Sequence, residues 1–237
     1  MRRYRVKRSI QKYFRYYDVS ELEQLRALYG DGELGERPQL ARAYSSIRHR
    51  ELPERYPEVI KYGTIFCEAY HKAIVQSMGC ALLAKSWLRP LAAYIGDRPC
   101  LEVMAGTGAL AWALGEYGCK VLPTDNYSLR NTFARRWVKV KRMDALRAVK
   151  KYGKKVDFVI MSWPFISELP KQMLAWLREH NPNCRMIYLG EWRGGCNVND
   201  AFCDFAVEDP EAAELVAQLR EHYQNWYDLK DTIYILK

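Results

Sequence analysis

Two glycines and one acidic residue are spaced as a ligand-binding loop requires. Gly106 and Gly108 stand between an apolar run, residues 100–104, and a helical pattern, residues 109–117. Glycine lets the backbone approach a ligand closely, and the first N–H groups of the following helix have no partner inside it. Asp125 ends the next apolar run, where an acid accepts hydrogen bonds from ribose hydroxyls in doubly wound folds. The spacing predicts a site for a ligand that contains a ribose.

The same residues also fit a purely structural explanation. A tight turn from a strand into a helix uses glycine without any ligand. Asp125 is a suitable N-cap for a helix through residues 126–129. A dinucleotide is the less suitable ligand, because Ala111 stands where the Gly-x-Gly-x-x-Gly pattern needs its third glycine.

A second group of residues follows the strongly apolar run 157–161. Ser162, Trp163, Pro164 and Phe165 place a polar side chain, a proline and an aromatic ring at the end of a predicted strand. Ligands of α/β sheets bind outside the carboxyl ends of the strands, so this turn is a candidate site. The alternative is a strand end whose aromatic residues belong to the core.

Glu191 lies at the same predicted edge of the sheet. It follows the apolar run 186–189, and the Gly194-Gly195 turn after it lets the backbone come close to a ligand. Glu191 therefore either binds a group of the substrate or is a solvated acid of a loop.

Strands and helices alternate around these candidate sites. The first 97 residues follow helical spacing, and the pattern changes after Pro99. Strands are predicted at 100–104, 119–123, 138–141, 156–161 and 186–189, with two more short β-like runs in 226–237 that break near residues 230–231. Helices are predicted at 109–117, 144–152, 169–180 and 208–222. The expected fold is α/β: a Rossmann-like, mostly parallel seven-stranded sheet (98–237) with helices on both faces, preceded by a helical N-terminal region (1–97).

Residues 98–237 resemble a class I S-adenosylmethionine-dependent methyltransferase. The resemblance rests on Glu102-x-x-x-Gly106-x-Gly108, then Asp125, then Asp144-Ala145, then the Ser-Trp-Pro-Phe turn. It implies S-adenosylmethionine as the cofactor. It implies that Glu102 and the Ala105–Gly108 loop meet the amino-acid end of that cofactor.

The resemblance also implies where the nucleoside part of the cofactor binds. Asp125, with Asn126 beside it, would hold the ribose hydroxyls. Asp144 would accept from the adenine amino group, with Ala145 next to it. Met104 stands in the place of the family's first glycine.

The Ser-Trp-Pro-Phe turn resembles the Asp/Asn/Ser-Pro-Pro-Tyr/Phe motif of amino-group methyltransferases. There, a side-chain oxygen and a backbone carbonyl accept the two N–H bonds of the target amine, and the aromatic ring stacks on the planar substrate. Carried over, Ser162 is the polar acceptor and Phe165 the stacking ring. Trp163 stands where the family has the first of its two prolines, and Pro164 where it has the second.

Positive charge is concentrated in two stretches of the chain. Residues 1–17 hold seven Lys or Arg and no acid, and residues 130–155 hold eleven against one, although the whole chain carries only +9. The first stretch interleaves aromatic side chains, which suits single-stranded nucleic acid or an unstacked base. We therefore expect nucleic acid as the partner, with Arg2, Arg3 and Arg5 as substrate-binding residues. A solvated basic helix that docks its aromatic residues on the body is the alternative.

Composition excludes several other classes of protein. The 237-residue chain is 49% hydrophobic and 27% charged, which is typical of a globular protein. No run of about 18 apolar residues predicts a membrane span, and the basic N-terminus lacks the apolar stretch of a secretory signal. The seven cysteines form no C-x-x-C pair, and the four histidines have no ligand spacing, so we expect a reducing cytoplasmic location and no metal.

The resemblance, together with the glycine loop and the basic stretches, predicts a methyltransferase that uses S-adenosylmethionine. Its expected acceptor is an amino group of a nucleic acid or of a nucleic-acid-associated substrate. The alternative keeps the fold as a scaffold for a non-catalytic nucleic-acid-binding module, and it rests on Met104 and Trp163, where family motif residues are replaced.

Overall fold

The structure is a computed structural model that describes residues 50–61, 71, 74–128 and 136–237. Its strands are β1 Cys100–Val103, β2 Val121–Asp125, β3 Lys141–Arg142, β4 Phe158–Ser162, β5 Arg185–Gly190 and β6 Thr232–Leu236. The helices with described bounds are α1 Lys85–Ile95, α2 Ala109–Gly115, α3 Ala145–Tyr152, α4 Leu169–His180, α5 Asp200–Phe205 and α6 Ala213–His222. Short 3-10 turns cover Glu58–Lys61, Gly153–Lys155 and Pro210–Ala212.

The six strands form one sheet in the order β3-β2-β1-β4-β5-β6. Every neighbouring pair is parallel except β5 and β6, which are antiparallel. The chain moves outward from β1 to β3 and then returns to place β4 on the other side of β1. The order therefore reverses between β1 and β4, and in doubly wound sheets this is where a ligand crevice opens.

Helices cover both faces of the sheet. On one face α1, α2 and α6 pack over alternate residues of β4 and β5, and on the other α3, α4 and α5 pack over the remaining ones. All four residues of β1 and the first four of β4 are buried, as expected for central parallel strands covered on both sides. The mixed α/β, Rossmann-like class that the sequence predicts is confirmed.

The described part of the N-terminal region shares a core with the sheet. Trp87, Leu88 and Leu91 of α1 are fully buried in the cluster that also contains Phe158 and Ile187. A pair of hydrogen bonds joins the backbone of Tyr56 to the side-chain amide of Gln224, at 2.7 and 2.8 Å. The described residues between 52 and 95 thus share their core with the sheet domain.

The predicted seventh strand is not found among the described residues. The segment 226–237 forms the single strand β6, because its first part pairs elsewhere: the Tyr227 N–H donates to the Ile60 carbonyl at 3.0 Å, and Leu229 turns back to Trp226. The third strand is Lys141–Arg142, shorter and later than predicted, and Pro210 starts a 3-10 turn ahead of α6. No helix of the described part is long and apolar enough to cross a membrane.

Candidate active site at the carboxyl edge of the sheet

The loop after β1 is built on left-handed backbone. Met104, Gly106 and Gly108 have φ of 55°, 51° and 72°. The Ala105 N–H donates to the Thr124 carbonyl at 3.0 Å, which ties the loop to β2, and the Gly108 N–H closes a turn onto the Ala105 carbonyl at 2.7 Å. Met104 thus adopts the conformation that a glycine would adopt there without strain.

Close packing also requires glycine at position 108. A Cβ atom added to Gly108 would lie 2.8 Å from a methyl group of Val138 and 2.8 Å from one of Val140. The neighbouring Thr107 is buried, and its hydroxyl donates to the Met78 carbonyl at 2.8 Å. The loop is therefore held from two sides, by the segment before β3 and by the segment before α1.

Asp125 reaches across from β2 to this loop. Its Oδ2 accepts the Gly106 N–H at 2.9 Å and its Oδ1 accepts the Tyr127 N–H at 2.6 Å. A carboxylate has about four acceptor positions, so two bonds leave room for ribose hydroxyls. Residues 126–128 are not helical, which removes the helix-cap explanation for those residues.

Glu102 is a buried carboxyl group next to the loop. Its side chain is 2% exposed, and its Oε2 atom has no hydrogen-bond partner among the described residues. Burial, with a smaller contribution from the charge of Asp125, raises the pKa of Glu102 to about 8. An unpartnered buried polar atom of this kind is costly, and it suits a group that receives a ligand's donor.

The remaining predicted cofactor residues lie further along the edge. Asp144 is the N-cap of α3, where its Oδ1 accepts the N–H groups of Leu146 and Arg147 at 3.0 and 3.3 Å, and Ala145 behind it is buried. Asn126 is exposed, and its Oδ1 accepts the Ser128 N–H at 2.8 Å. The exposed Asp144 carboxylate retains free acceptor positions for a ligand.

The Ser162–Phe165 turn, here called the acceptor turn, follows β4 directly. Trp163 has a φ of 50°, and its N–H donates to the Leu189 carbonyl at 2.8 Å. Proline fixes φ at about −65° and has no N–H, so a proline could not replace Trp163 in this backbone, and the turn differs from the Pro-Pro motif that it resembles in sequence. Phe165 is 60% exposed, which leaves its ring free to stack on a planar group.

Trp163 is held by a buried acid from the segment before β6. The indole Nε1–H donates to Asp231 Oδ2 at 3.1 Å, and the Tyr223 hydroxyl donates to the same oxygen at 2.5 Å. The Asn225 amide donates to Asp231 Oδ1 at 2.8 Å. Burial raises the pKa of Asp231, although these three donors oppose the shift.

Two further side chains fix the loops around the acceptor turn. The Asn197 amide donates to the Pro164 carbonyl at 3.2 Å, and its oxygen accepts the Glu191 N–H at 2.8 Å. Glu191 itself accepts the N–H groups of Cys196 and Lys230, both at 3.0 Å. Burial opposes ionisation of Glu191, but these bonds outweigh it and hold its pKa below the usual value. Like Asp125, Glu191 therefore fixes its loop and retains acceptor positions for a ligand, so its assignment to the substrate stays a prediction.

The strand register brings the loop and the turn together. Val103, the last residue of β1, pairs with Met161 of β4, and Ser162 ends β4 one residue later, so the loops that follow the two strands are neighbours. Adjacent strands are about 4.8 Å apart. The glycine loop, Asp125 and the acceptor turn therefore lie at one edge, whereas Asp144 lies beyond β2 and Arg2, Arg3 and Arg5 lie outside the described residues.

Sequence reasoning missed Asp231, Asn197, Tyr223 and Asn225. Their only sequence signal was the break in the β-like pattern near residues 230–231, which is where Asp231 turns inward. The contacts of Asn197 with Pro164 and of Asp231 with Trp163 join positions 33 and 68 residues apart, which no local pattern reports. No group of three or more His, Cys, Asp or Glu side chains that could hold a metal occurs in the part of the chain that the structure describes.

Comparison with known proteins gives distant likenesses only. No family model and no curated protein matches the chain. Among solved structures, a ribosomal protein L11 methylase from Lactobacillus delbrueckii subsp. bulgaricus is 15% identical, with 63% of this chain and 76% of that chain covered and a TM-score of 0.36.

Two other solved structures show the same level of similarity. A TehB-like SAM-dependent methyltransferase from Corynebacterium glutamicum is 14% identical (64% and 86% covered, TM-score 0.35). A putative RNA methyltransferase from Pyrococcus horikoshii is 16% identical (84% and 98% covered, TM-score 0.33). Similarity at this level carries no argument about the reaction, and the fold is assigned from the order and direction of the strands.

Proposed function

We propose that this protein is an S-adenosylmethionine-dependent methyltransferase whose acceptor is an amino group of a nucleic acid or of a nucleic-acid-associated substrate. The observation that carries the proposal is the register between β1 and β4, which sets the glycine loop beside the acceptor turn. A donor site and an acceptor site are then neighbours at the point where the strand order reverses.

The residues at this edge fit the cofactor. The unpartnered Oε2 of buried Glu102 and the backbone of Gly106 and Gly108 suit its amino-acid end, and the free acceptor positions of Asp125 suit its ribose hydroxyls. Asn126, Asp144 and Ala145 are assigned to its nucleoside end. When bound, S-adenosylmethionine supplies a methyl group activated by a positively charged sulfur.

On the acceptor side the protein mainly positions its substrate. The Ser162 hydroxyl and the Trp163 carbonyl accept the two N–H bonds of the amine, which aims the nitrogen lone pair toward the loop. Phe165 stacks on the planar group that carries the amine. Correct placement of two reactants supplies much of the rate in such reactions, so no strong acid or base is needed here. A base within a duplex must first leave the stack to reach this turn.

Calorimetric titration with S-adenosylmethionine tests the donor site. We expect micromolar binding by the unaltered protein and at least a tenfold weaker Kd in Asp125→Ala, since hydrogen bonds to a charged group contribute about 1.5–3 kcal/mol each. Asp228→Ala, an exposed acid outside the site, is the control and binds as the unaltered protein does. Equal affinity in all three proteins would refute the assignment of Asp125.

Ser162→Ala tests the acceptor site with a labelled methyl donor. We expect turnover on nucleic-acid substrates to fall while the cofactor Kd stays within about twofold, because the Ser162 hydroxyl is assigned to the amine and not to the cofactor. A parallel loss of cofactor affinity would place Ser162 in the donor site instead.

A second candidate function is a non-catalytic nucleic-acid-binding module on the same fold. The backbone of Trp163, with φ of 50° and its N–H bonded to Leu189, favours it, because the turn differs from the motif that positions an amine in active enzymes. Absence of binding at millimolar cofactor, together with salt-sensitive binding of nucleic acid, would select this function over the first.

A further inference from the structure

One surface of the described chain is almost entirely cationic. It consists of the segment before β3, strand β3 itself, helix α3 and the 3-10 turn that follows. Its Lys and Arg side chains, all exposed, are Arg136, Lys139, Lys141, Arg142, Arg147, Lys150, Lys151, Lys154 and Lys155. Asp144 is the single acid in this stretch, and its carboxylate caps α3. We call this surface the cationic face.

Helical spacing lines up four of these charges. Arg147, Lys150, Lys151 and Lys154 are at positions i, i+3, i+4 and i+7, so they form one stripe along α3 and the turn after it. At 1.5 Å per residue the stripe is about 10 Å long. The opposite side of α3, with Ala145, Ala148 and Val149, is buried against the sheet.

Tyr152 joins this stripe to the edge strand. The Lys141 ammonium donates to the Tyr152 hydroxyl at 2.7 Å and lies 5.3 Å from the centre of its ring, and the Lys151 ammonium lies 5.5 Å from the same centre. The two lysines come from β3 and α3, so strand and helix present one continuous surface. The Lys141 bond lowers the pKa of the Tyr152 hydroxyl.

The charges of this face are not neutralised by the rest of the described chain. The ion pairs among the described residues lie elsewhere, on residues such as Arg185, Arg193 and Arg220. Residues 156–237 carry seven Lys or Arg against thirteen Asp or Glu, so the opposite half of the sheet domain is acidic. Such an asymmetry orients an approaching polyanion toward the cationic face.

Protection of an edge strand explains only part of this pattern. Lysines on an edge strand discourage pairing with other chains, and β3 is the edge of the sheet. However, β3 is only two residues long, and five of the nine cations lie on α3 or the turn after it, where there is no strand to protect.

We propose that the cationic face binds the sugar-phosphate backbone of a nucleic-acid strand and guides it toward the acceptor turn. The nucleic acid bound here would be the substrate of the proposed methyltransferase. Binding itself does not depend on that proposed function; only the delivery of the strand to an active acceptor turn does. β3 is three strands from β4, or about 14 Å at the usual strand spacing, a distance of a few nucleotides. The described large apolar side chains that are exposed, such as Phe165 and Ile166, lie outside residues 136–155, so the face lacks the apolar side chains with which a membrane-surface helix inserts.

The test is binding of a labelled single-stranded RNA and a DNA of the same sequence, followed by fluorescence anisotropy from 50 to 300 mM salt without cofactor. The variant Lys150→Gln/Lys151→Gln/Lys154→Gln removes three charges of the stripe while keeping good helix formers. The matched control, Arg55→Gln/Lys61→Gln/Lys120→Gln, removes three exposed charges outside the face. Circular dichroism and cofactor titration of both variants verify that the fold is kept.

We expect the face variant to bind at least tenfold more weakly at 100 mM salt and to lose up to about 2 from the slope of log K against log salt, because each phosphate contact on a single strand contributes about 0.7. The affinity of the control stays within about twofold of that of the unaltered protein.

An unchanged slope in the face variant, or an equal loss in the control, would overturn the proposal. A face variant that loses binding to anionic vesicles but not to nucleic acid would overturn it in favour of a membrane. Nucleic-acid binding that survives when the cofactor does not bind would leave this inference standing and remove the proposed enzyme.

Discussion

Glu102 shows how a single residue couples the site to pH. Its carboxyl group is buried without a partner for Oε2 among the described residues, and burial raises its pKa to about 8. Between about pH 4.5 and pH 8 the Glu102 carboxyl group therefore stays protonated in the folded protein, whereas it ionises in the unfolded chain. Its contribution to the free energy of unfolding is fully present below about pH 4.5 and is lost as pH rises toward 8.

Glu102→Gln removes this dependence. One pKa unit corresponds to about 1.4 kcal/mol. As pH rises from 5 to 8, we therefore expect the free energy of unfolding of the variant to increase by a few kcal/mol relative to that of the unaltered protein. Urea denaturation at pH 5, 6, 7 and 8 measures the difference. A constant difference across this range would mean that Glu102 is ionised in the folded protein.

Trp163 gives a second prediction at the scale of one residue. The substitution Trp163→Pro is expected to destabilise the fold by about 3 kcal/mol or more, since proline can neither adopt a φ of 50° nor donate to Leu189. Trp163→Phe keeps the backbone and loses only the bond to Asp231, at a cost of about 1 kcal/mol. Thermal denaturation of both variants compares them, and a proline variant as stable as the phenylalanine variant would contradict the described backbone.

At the scale of secondary-structure elements, each loop at the carboxyl edge is held in place by other parts of the fold. The glycine loop is held by β2, by the valines before β3 and by the Met78 carbonyl. The acceptor turn is held by Asn197 from the loop after β5 and by Asp231 from the segment before β6. Each loop therefore depends on elements distant in the chain.

Two glycines at the two ends of α2 test the packing of the glycine loop. Gly108→Ala would bring a Cβ within 2.8 Å of Val138 and Val140 at a φ of 72°, so we expect a loss of about 1–3 kcal/mol and weaker cofactor binding. Gly115→Ala, at the end of the same helix, meets no atom within 4 Å and is expected to stabilise by up to about 1 kcal/mol. Chemical denaturation and calorimetry separate the two. Equal effects would show that Gly108 is not closely packed.

At the scale of the whole molecule, the sheet and the described part of residues 50–97 share one hydrophobic core. Trp87, Leu88 and Leu91 are fully buried, in the same cluster as Ile160 and Ile187. Removing α1 would expose this face of the sheet to water at a cost of about 25 cal/mol for each Å² of apolar surface.

We therefore expect a chain of residues 98–237 to lack a cooperative thermal transition, whereas residues 50–237 retain one. Circular dichroism melting of the two chains, with near-ultraviolet spectra to report on tryptophan packing, distinguishes them. A cooperative transition in the shorter chain would show that residues 98–237 fold independently of α1.

The sequence by itself determined the α/β class, the order of strands and helices from β1 to β5, and the candidate loops. These are local properties: apolar periodicity, glycines after a strand, and an acid at a strand end. The sequence analysis missed helix α5 and predicted one strand too many in residues 226–237. Helix α4 and strand β4 lie where the apolar patterns predicted them, within one or two residues. The assignment of individual site residues stays a prediction that the experiments above decide.

Only the tertiary structure decided which loops are neighbours and what holds them. The register between β1 and β4 and the bond from Trp163 to Asp231 join residues that are far apart in the chain. The prediction of a strand in the first part of residues 226–237 was wrong for the same reason, because the Tyr227 N–H donates to the Ile60 carbonyl and not to a neighbouring strand. Contacts of this kind depend on long-range packing, and no local pattern of residue types records them.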